Sequence, residues 1–438
     1  MKVVGLIAEY NPFHTGHLFH IEEAKRLSQA DFVLVLMSGD FVQRGTPALF
    51  DKYTRAEMAL LSGADAVIEL PVRFSCASAE YFASGAVFLL QELGVIDFLC
   101  FGSECGNLSL LQSAAEALTE ESSAFQKKLQ VFLKQGLSYP ISRSKTFCEI
   151  FSEKFSSEIL HSLLSEPNNI LALEYLKALR QIESPILPLT LKRQQAGYHD
   201  KTLFSAFASA SALRDRIIRS DLEAVAPYIP KPAFSVFKRE YLHSFPIQTD
   251  DFSLPLYYKI RSHLETASPL SVYQDISSDL EARIFHKLPQ FTSFESFAIL
   301  LKTKQYTLTR IYRCLLHILL NIKKTAAPSI KPSLSYCPKT AVPTHLLFCI
   351  PSYARLLGFR KSSSALLTAI KTRSRIPLIT KTADAQTILT DKQSSALTDP
   401  FSLFQQDLFA ADLYQKTQEL KFHTTLPNEF TRPLILIP

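Results

Sequence analysis

Five short runs of Val, Ile and Leu in the first part of this chain constrain its fold more than anything else in it. "KVVGLIAEY", "DFVLVLMSG" (31–39), "ADAVIELP" (64–71), "VIDFLCFG" (95–102) and "SPILPLTLKR" (184–193) are apolar at consecutive positions, not only at alternate ones. Such strands are buried on both faces, as when helices cover both sides of a parallel sheet. Amphipathic segments separate them: "LFHIEEAKRLS", "KYTRAEMALLSG" stopped by Gly63, "SAEYFASGAVFLLQEL" and "NNILALEYLKALRQI". The rhythm predicts an α/β fold with a parallel sheet. Sheets of this kind bind ligands beyond the carboxyl ends of their strands. The polar clusters "NPFHTGH", "GDFVQRG" and "FGSE" fall there.

At 438 residues the chain is too long for one ordinary core. Its divisions are expected at 1–224 for the sheet domain, 225–325 for a helical domain and 326–438 for a connector with a small α+β unit. "FESFAILLKTKQYTLTRIYRCLLHILLNIKK" supplies the principal helices of the second. Pro328, Pro332, Pro338, Pro343 and Pro351 punctuate the connector. Cys76, Cys100, Cys105, Cys148, Cys314, Cys337 and Cys349 are odd in number and form no C-x-x-C pair, which argues against a disulfide framework or zinc ribbon. No run reaches the ~18 apolar residues of a membrane span. The N-terminus meets Glu9 and has no small-residue cleavage site. The expected location is cytoplasmic, with no membrane contact.

Charge is distributed unevenly. The 88 residues between Glu295 and Asp384 contain 15 Lys and Arg and no acid; with +6 overall, the other 350 residues sum to −9. A one-sided positive segment attracts polyanions; a solvated basic face is the plainer alternative.

The three histidines of "NPFHTGHLFH" admit metal, structural and phosphate readings. His14 and His20 are six apart and on a helix point roughly 240° away from each other, so no metal site is expected from the motif. The phosphate reading explains more. Asn11-Pro12 turn the chain, Gly16 leaves room for a ligand, and a helix starting near Gly16 presents its positive end and free N–H groups. His14 and His17, one turn apart, then face an α-phosphate and stabilise its charge during in-line displacement.

"AEYNPFHTGH", "GDFVQRGTPA", "KYTRAEMALLSGADAVIELP", "SAEYFASGA", "FGSE", "PNNILALEYLKAL", "SASALR", "KTKQYTLTRIYRCLLHILLNI" and "YARLLGF" occur in this order. The H-x-G-H core resembles nucleotidyltransferases related to class I aminoacyl-tRNA synthetases, and the whole set resembles the bacterial tRNA(Met) cytidine acetate ligase family up to about residue 385. The resemblance implies a Rossmann-like core that uses ATP, with Mg2+ as counter-ion, to activate acetate as acetyl-adenylate. The acetyl group then passes to N4 of the wobble cytidine, position 34, of elongator tRNA(Met). Carried over by position, the ATP site takes Ile7 and Ala8 at the strand end, and Glu9, Tyr10, Asn11 and Pro12 in the turn. It continues through Phe13, His14, Thr15, Gly16 and His17 to Leu18, Phe19 and His20. Gly102, Asn168 and Arg193 complete it, with His14 and His17 as the catalytic pair.

Ser209 and Ser211, ahead of a helix bearing Arg214, suit either the β/γ-phosphates or a plain helix cap. Asp40 and Arg44 lie beyond the second strand. Asp40 suits a magnesium ion, a proton or an Asx turn. In the basic stretch, Lys302, Lys304, Arg310, Arg313, Lys323 and Lys324 surround Tyr306 and Tyr312. Cations and aromatics together suit a tRNA loop, and Arg355, Arg360 and Lys361 extend that surface. Gln305 stands where the family tends to carry a basic residue. Two alternatives share the core: a small-molecule adenylyltransferase, which needs no long acid-free stretch, and a non-catalytic RNA-binding protein. Oligomeric state, acetate-pocket residues and a general base for acyl transfer are not legible.

Overall fold

The computed structural model describes residues 1–119, 123–137, 139–152, 155–193, 209–324, 350–391 and 399–438. Cys337, Cys349 and four of the five connector prolines (328, 332, 338 and 343) lie outside them. The five expected strands form as β1 (Val3–Ala8), β2 (Phe32–Ser38), β5 (Ala66–Leu70), β6 (Phe98–Ser103) and β7 (Leu187–Lys192). They pair in parallel in the order β5-β2-β1-β6-β7. Between β2 and β5, β3 (Phe41–Val42) and β4 (Thr46–Pro47) make an antiparallel hairpin. Winding reverses between β1 and β6, so a crevice opens at their carboxyl ends.

Side chains alternate between the two faces of the sheet. Val3, Leu34, Leu36 and Ile68 face one apolar core, which packs against the helices Ala79–Glu92 and Pro167–Gln181. Val4, Leu6, Val33, Val35 and Val67 face another, shared with α1 (Thr15–Ser28) and α2 (Lys52–Leu61). Ile229, Ala233, Val236, Phe237 and Phe245 join this second core. The stretch just past 224 therefore packs with the sheet domain, and the helical core proper begins near Ile247.

The C-terminal part does not stand apart as expected. β8 (Ala354–Arg360) pairs antiparallel with β5, and β9 (Leu378–Ile379) and β10 (Ile435–Ile437) pair with β8, making one eight-stranded sheet. The helix Pro400–Phe422 contributes Leu403 and Phe404 to the first core and Ala410 and Tyr414 to the helical one. An antiparallel strand such as β8 needs no crossover helix, so an αβ alternation does not announce it.

Candidate active site

At the end of β1 the chain turns at Tyr10, whose φ is +50°, and α1 begins at Thr15. The two histidines close the helix end reciprocally. Gly16 N–H donates to His14 Nδ1 at 3.0 Å, and His14 N–H donates to His17 Nδ1 at 3.3 Å. A nitrogen that accepts carries no proton, so each neutral ring bears its proton on Nε2. The rings lie 3.8 Å apart. Here the expected free N–H group of Gly16 is taken by the cap; the imidazole Nε2–H groups are the donors. Burial first, then Arg193 and Arg214, lower the His14 pKa to about 3. Burial and His14 push His17 well below its ordinary value. The pair is neutral, a state suited to donating hydrogen bonds to phosphate without a proton to lose.

His20 lies on the same helix, its ring hydrogen-bonded to the Cys100 backbone, and burial lowers its pKa to about 4. Its Nε2 is buried without a partner, as are Tyr10 OH and Thr15 Oγ1. Orphaned buried polar atoms are rare in folded proteins. Three of them lie along this one motif.

Gly102, Asn168 and Arg193, far apart in sequence, come together. Arg193 Nη1 donates to Asn168 Oδ1 at 3.0 Å. A β-carbon at Gly102 would lie 3.2 Å from Arg193 Cγ, so glycine leaves the arginine its path. Glu104 completes the set. Its carboxylate accepts from Asn168 Nδ2 at 2.5 Å and from the N–H groups of Asn168 and Asn169, at the N-terminus of the helix Pro167–Gln181. An acid there offsets the helix dipole. "FGSE" contained this residue, but no spacing rule connects it to a helix 64 residues on.

Ser209 Oγ caps the helix Ala210–Ile218 by accepting from Ala212 N–H at 3.2 Å, and Ser211 Oγ accepts from Arg214 Nη2 at 2.9 Å. The capping role prevails for Ser209. Arg214 reaches the motif itself, donating from Nη1 to Asn11 O at 2.8 Å. Burial, then Arg44, lowers its pKa; burial and Arg44 also lower that of Arg193, against the pull of Glu104.

Asp40 is not available to a metal. It is buried, accepts from Lys52 N–H at 2.7 Å and lies 3.8 Å from Lys52 Nζ, while burial raises its pKa to about 7. Among the described residues no group of three His, Cys, Asp or Glu is placed to hold a metal ion. Sequence reasoning missed Arg55, which is wholly buried and donates to the carbonyls of Glu9, Ser38, Gly39 and Phe50. It ties the ends of β1 and β2 together beneath the site.

The basic surface needs correction at Arg355 and Tyr306. Arg355 is buried and paired with Glu69 and Glu429, so it meets no RNA. Arg360 ends β8, where Phe359 pairs with Ala66 at the amino end of β5, the edge opposite the histidines. Tyr306 is buried, its OH bonded to Ser277 Oγ at 2.8 Å and to Asp279 Oδ2 at 3.2 Å, with Arg310 over its ring. Tyr312 stacks on Phe294. Arg313 is half-buried, and Lys324 donates to Ile276 O. Lys302, Lys304 and Lys323 are exposed.

Comparison with known proteins places this geometry. The model of the HIGH nucleotidyl transferase family matches residues 1–427. A tRNA(Met) cytidine acetate ligase of Thermoanaerobacter sp. is 37% identical over 99% of this chain and 100% of its own length. That of Acetivibrio thermocellus is 36% identical with full coverage of both. The crystal structure of Thermotoga maritima TmcAL bound with alpha-thio ATP superposes with a TM-score of 0.85, at 30% identity and over 100% of both chains. Among the described residues no helix is long and apolar enough to cross a membrane.

Proposed function

The chain belongs to the HIGH nucleotidyl transferases, within the tRNA(Met) cytidine acetate ligase family; from that premise we propose that it joins acetate to tRNA in two steps. A carboxylate oxygen of acetate attacks the α-phosphorus of ATP and pyrophosphate leaves, giving acetyl-adenylate. N4 of the wobble cytidine of elongator tRNA(Met) then attacks the acetyl carbonyl, AMP leaves, and the amine gives up a proton. Acetate alone is inert to an amine; adenylation supplies the leaving group.

The observation that carries this reading is the meeting of His14, His17, Arg193 and Arg214 at one helix end in the switch-point crevice. Two neutral Nε2–H donors and two guanidiniums suit a phosphorus centre that gains charge as it is attacked. His20 Nε2, Tyr10 OH and Thr15 Oγ1 suit the nucleoside. The family implies magnesium, and Asp40, which accepts from Lys52 N–H and lies beside its ammonium, is not offered to it. Magnesium would come with ATP as its counter-ion and would offset charge on the phosphates. Lys302, Lys304 and Lys323, with Arg310 and Arg313, form the tRNA-facing surface, and the enzyme works in the cytoplasm with its tRNA.

The test is pyrophosphate release from MgATP with and without acetate, followed by digestion of tRNA incubated with the complete mixture. Acetate-dependent release and N4-acetylcytidine in the digest are expected. Release that ignores acetate and follows a coenzyme precursor instead would make the protein a small-molecule adenylyltransferase.

A further inference from the structure

Arg193 and Arg214 have a nucleotide role suggested by their motifs; Arg44 of "GDFVQRG", a third guanidinium beside them, has none. Arg44 stands exposed at the tip of the β3–β4 hairpin, and its charge acts on both of the others. The hairpin is held from two sides. Gln43 N–H donates to Glu9 Oε1 at 2.9 Å, two residues before Asn11, whose carbonyl holds Arg214. On the far side Gly45, at φ +82°, seats so closely on the helix Leu308–Leu319 that a β-carbon would lie 2.5 Å from Arg313 N. Ser75 Oγ anchors the hairpin base by donating to Phe41 O at 3.0 Å.

A rigid support keeps Arg44 near two like charges, and no ion pair involving any of the three arginines occurs among the described residues. Glu104 offsets part of the charge on Arg193, and Glu9 and Asp215 part of that on Arg214; the clustered guanidiniums still repel one another, and a polyanion relieves that repulsion. The α-phosphate has its donors in His14 and His17, and Arg193 is tied to Asn168 at the strand ends. What remains for a cation on the outer hairpin is the phosphate tail.

We propose that Arg44 is the residue that selects the nucleoside triphosphate: it grips the β- and γ-phosphates opposite Arg214 and holds pyrophosphate as it leaves. This rests on the ATP-dependent adenylation proposed above. A monophosphate, ending at the histidines, does not reach it.

Calorimetric titration of wild type, Arg44→Ala and Arg44→Lys with MgATP and with AMP, in the absence of acetate, tests this. Charge-assisted contacts to phosphate predict that Arg44→Ala binds ATP about 10- to 100-fold more weakly. AMP affinity stays within about twofold, and Arg44→Lys falls between, keeping the charge without the fork. Pyrophosphate as an inhibitor of adenylation weakens in parallel. Equal losses for ATP and AMP, or no loss for either, would overturn the proposal. Thermal unfolding of each variant guards against a folding defect, which an exposed side chain is not expected to cause. If wild type binds ATP with this discrimination yet releases no pyrophosphate with acetate, the adenylation reading fails and the role of Arg44 stands.

Discussion

His14 performs two tasks with two nitrogens, and substitutions separate them. Nδ1 caps α1 through Gly16 N–H, and Nε2–H is free for phosphate. Asparagine is a preferred N-cap, but its carboxamide ends about one bond length short of Nε2. Glutamine places a donor near Nε2 and lacks the capping acceptor. Loss of an N-cap costs about 0.5–2 kcal/mol, and loss of one preorganised donor costs about 2.7–4 kcal/mol of barrier, or roughly 10²–10³ in rate. His14→Asn is therefore expected to keep its stability within about 0.5 kcal/mol, while acetate-dependent pyrophosphate release falls roughly 10²–10³-fold. His14→Gln loses about 1 kcal/mol by denaturant titration and retains activity within about tenfold. Because the ring is already neutral, with its pKa lowered to about 3, wild-type adenylation does not titrate through His14 between about pH 5 and 8. A His14→Asn enzyme with near-normal turnover would refute the reasoning, as would a rate that climbs on acidification because an imidazolium is required.

The same depressed pKa predicts a stability difference with pH. Below the ordinary value of 6.5 the unfolded chain binds a proton that native His14 refuses, so this contribution to stability is lost as pH falls. Asp40 and Asp407, raised to about 7 by burial, act in the opposite sense; they cancel in the difference between wild type and His14→Asn, which should shift by about 2 kcal/mol in favour of the variant from pH 7 to 5. Arg355→Met leaves Glu69 and Glu429 short of a partner, predicting a loss of about 3–5 kcal/mol in chemical denaturation with tRNA affinity of the folded protein unchanged; weaker tRNA binding at full stability would return Arg355 to the RNA surface. Lys302, Lys304 and Lys323 changed together to Ala should flatten the slope of log affinity against log salt by about 2 in a tRNA filter-binding series. Tyr306→Phe should leave that affinity unaltered and cost about 1–3 kcal/mol through its lost hydroxyl bonds.

Where sequence succeeded, the signal was local. The five strands are legible because burial on both faces leaves runs of apolar residues, and the meeting of His14 and His17 at one helix end because they stand three apart around Gly16. Asn168 and Arg193 are 25 residues apart and meet only because the helix Pro167–Gln181 begins at the edge where β7 ends. Glu104, nearby in space, carried no pattern that marks it as their support. "YARLLGFR" misled for a definite reason: an arginine amid apolar residues reads as an exposed cation. The carboxylates that neutralise Arg355 are Glu69 and Glu429, each distant in sequence. Tyr306 misled in the same way, since Ser277 and Asp279, which satisfy its hydroxyl, come from another helix.

Those buried charges explain how the C-terminal segment comes to serve the N-terminal site. Lys52 and Arg55 lie one turn apart on α2 and face different tasks. Arg55 fixes the carbonyls of Glu9, Ser38 and Gly39, from which the histidine turn and the Arg44 hairpin depart. Lys52 pairs with Glu69 at 2.9 Å and with Glu429 at 3.3 Å. Glu429 in turn binds Arg355 and Tyr53, and Arg432 pairs with Asp51 at 3.2 Å. Burying this many ions adds little net stability compared with a well-packed apolar cluster. It is, however, selective: a tail displaced by one residue would deprive both Lys52 and Arg355 of Glu429, a cost an apolar seam does not impose. The tail thus locks β8 in register against β5 and β10 against β8, and the histidine turn rests on a platform that both ends of the chain complete.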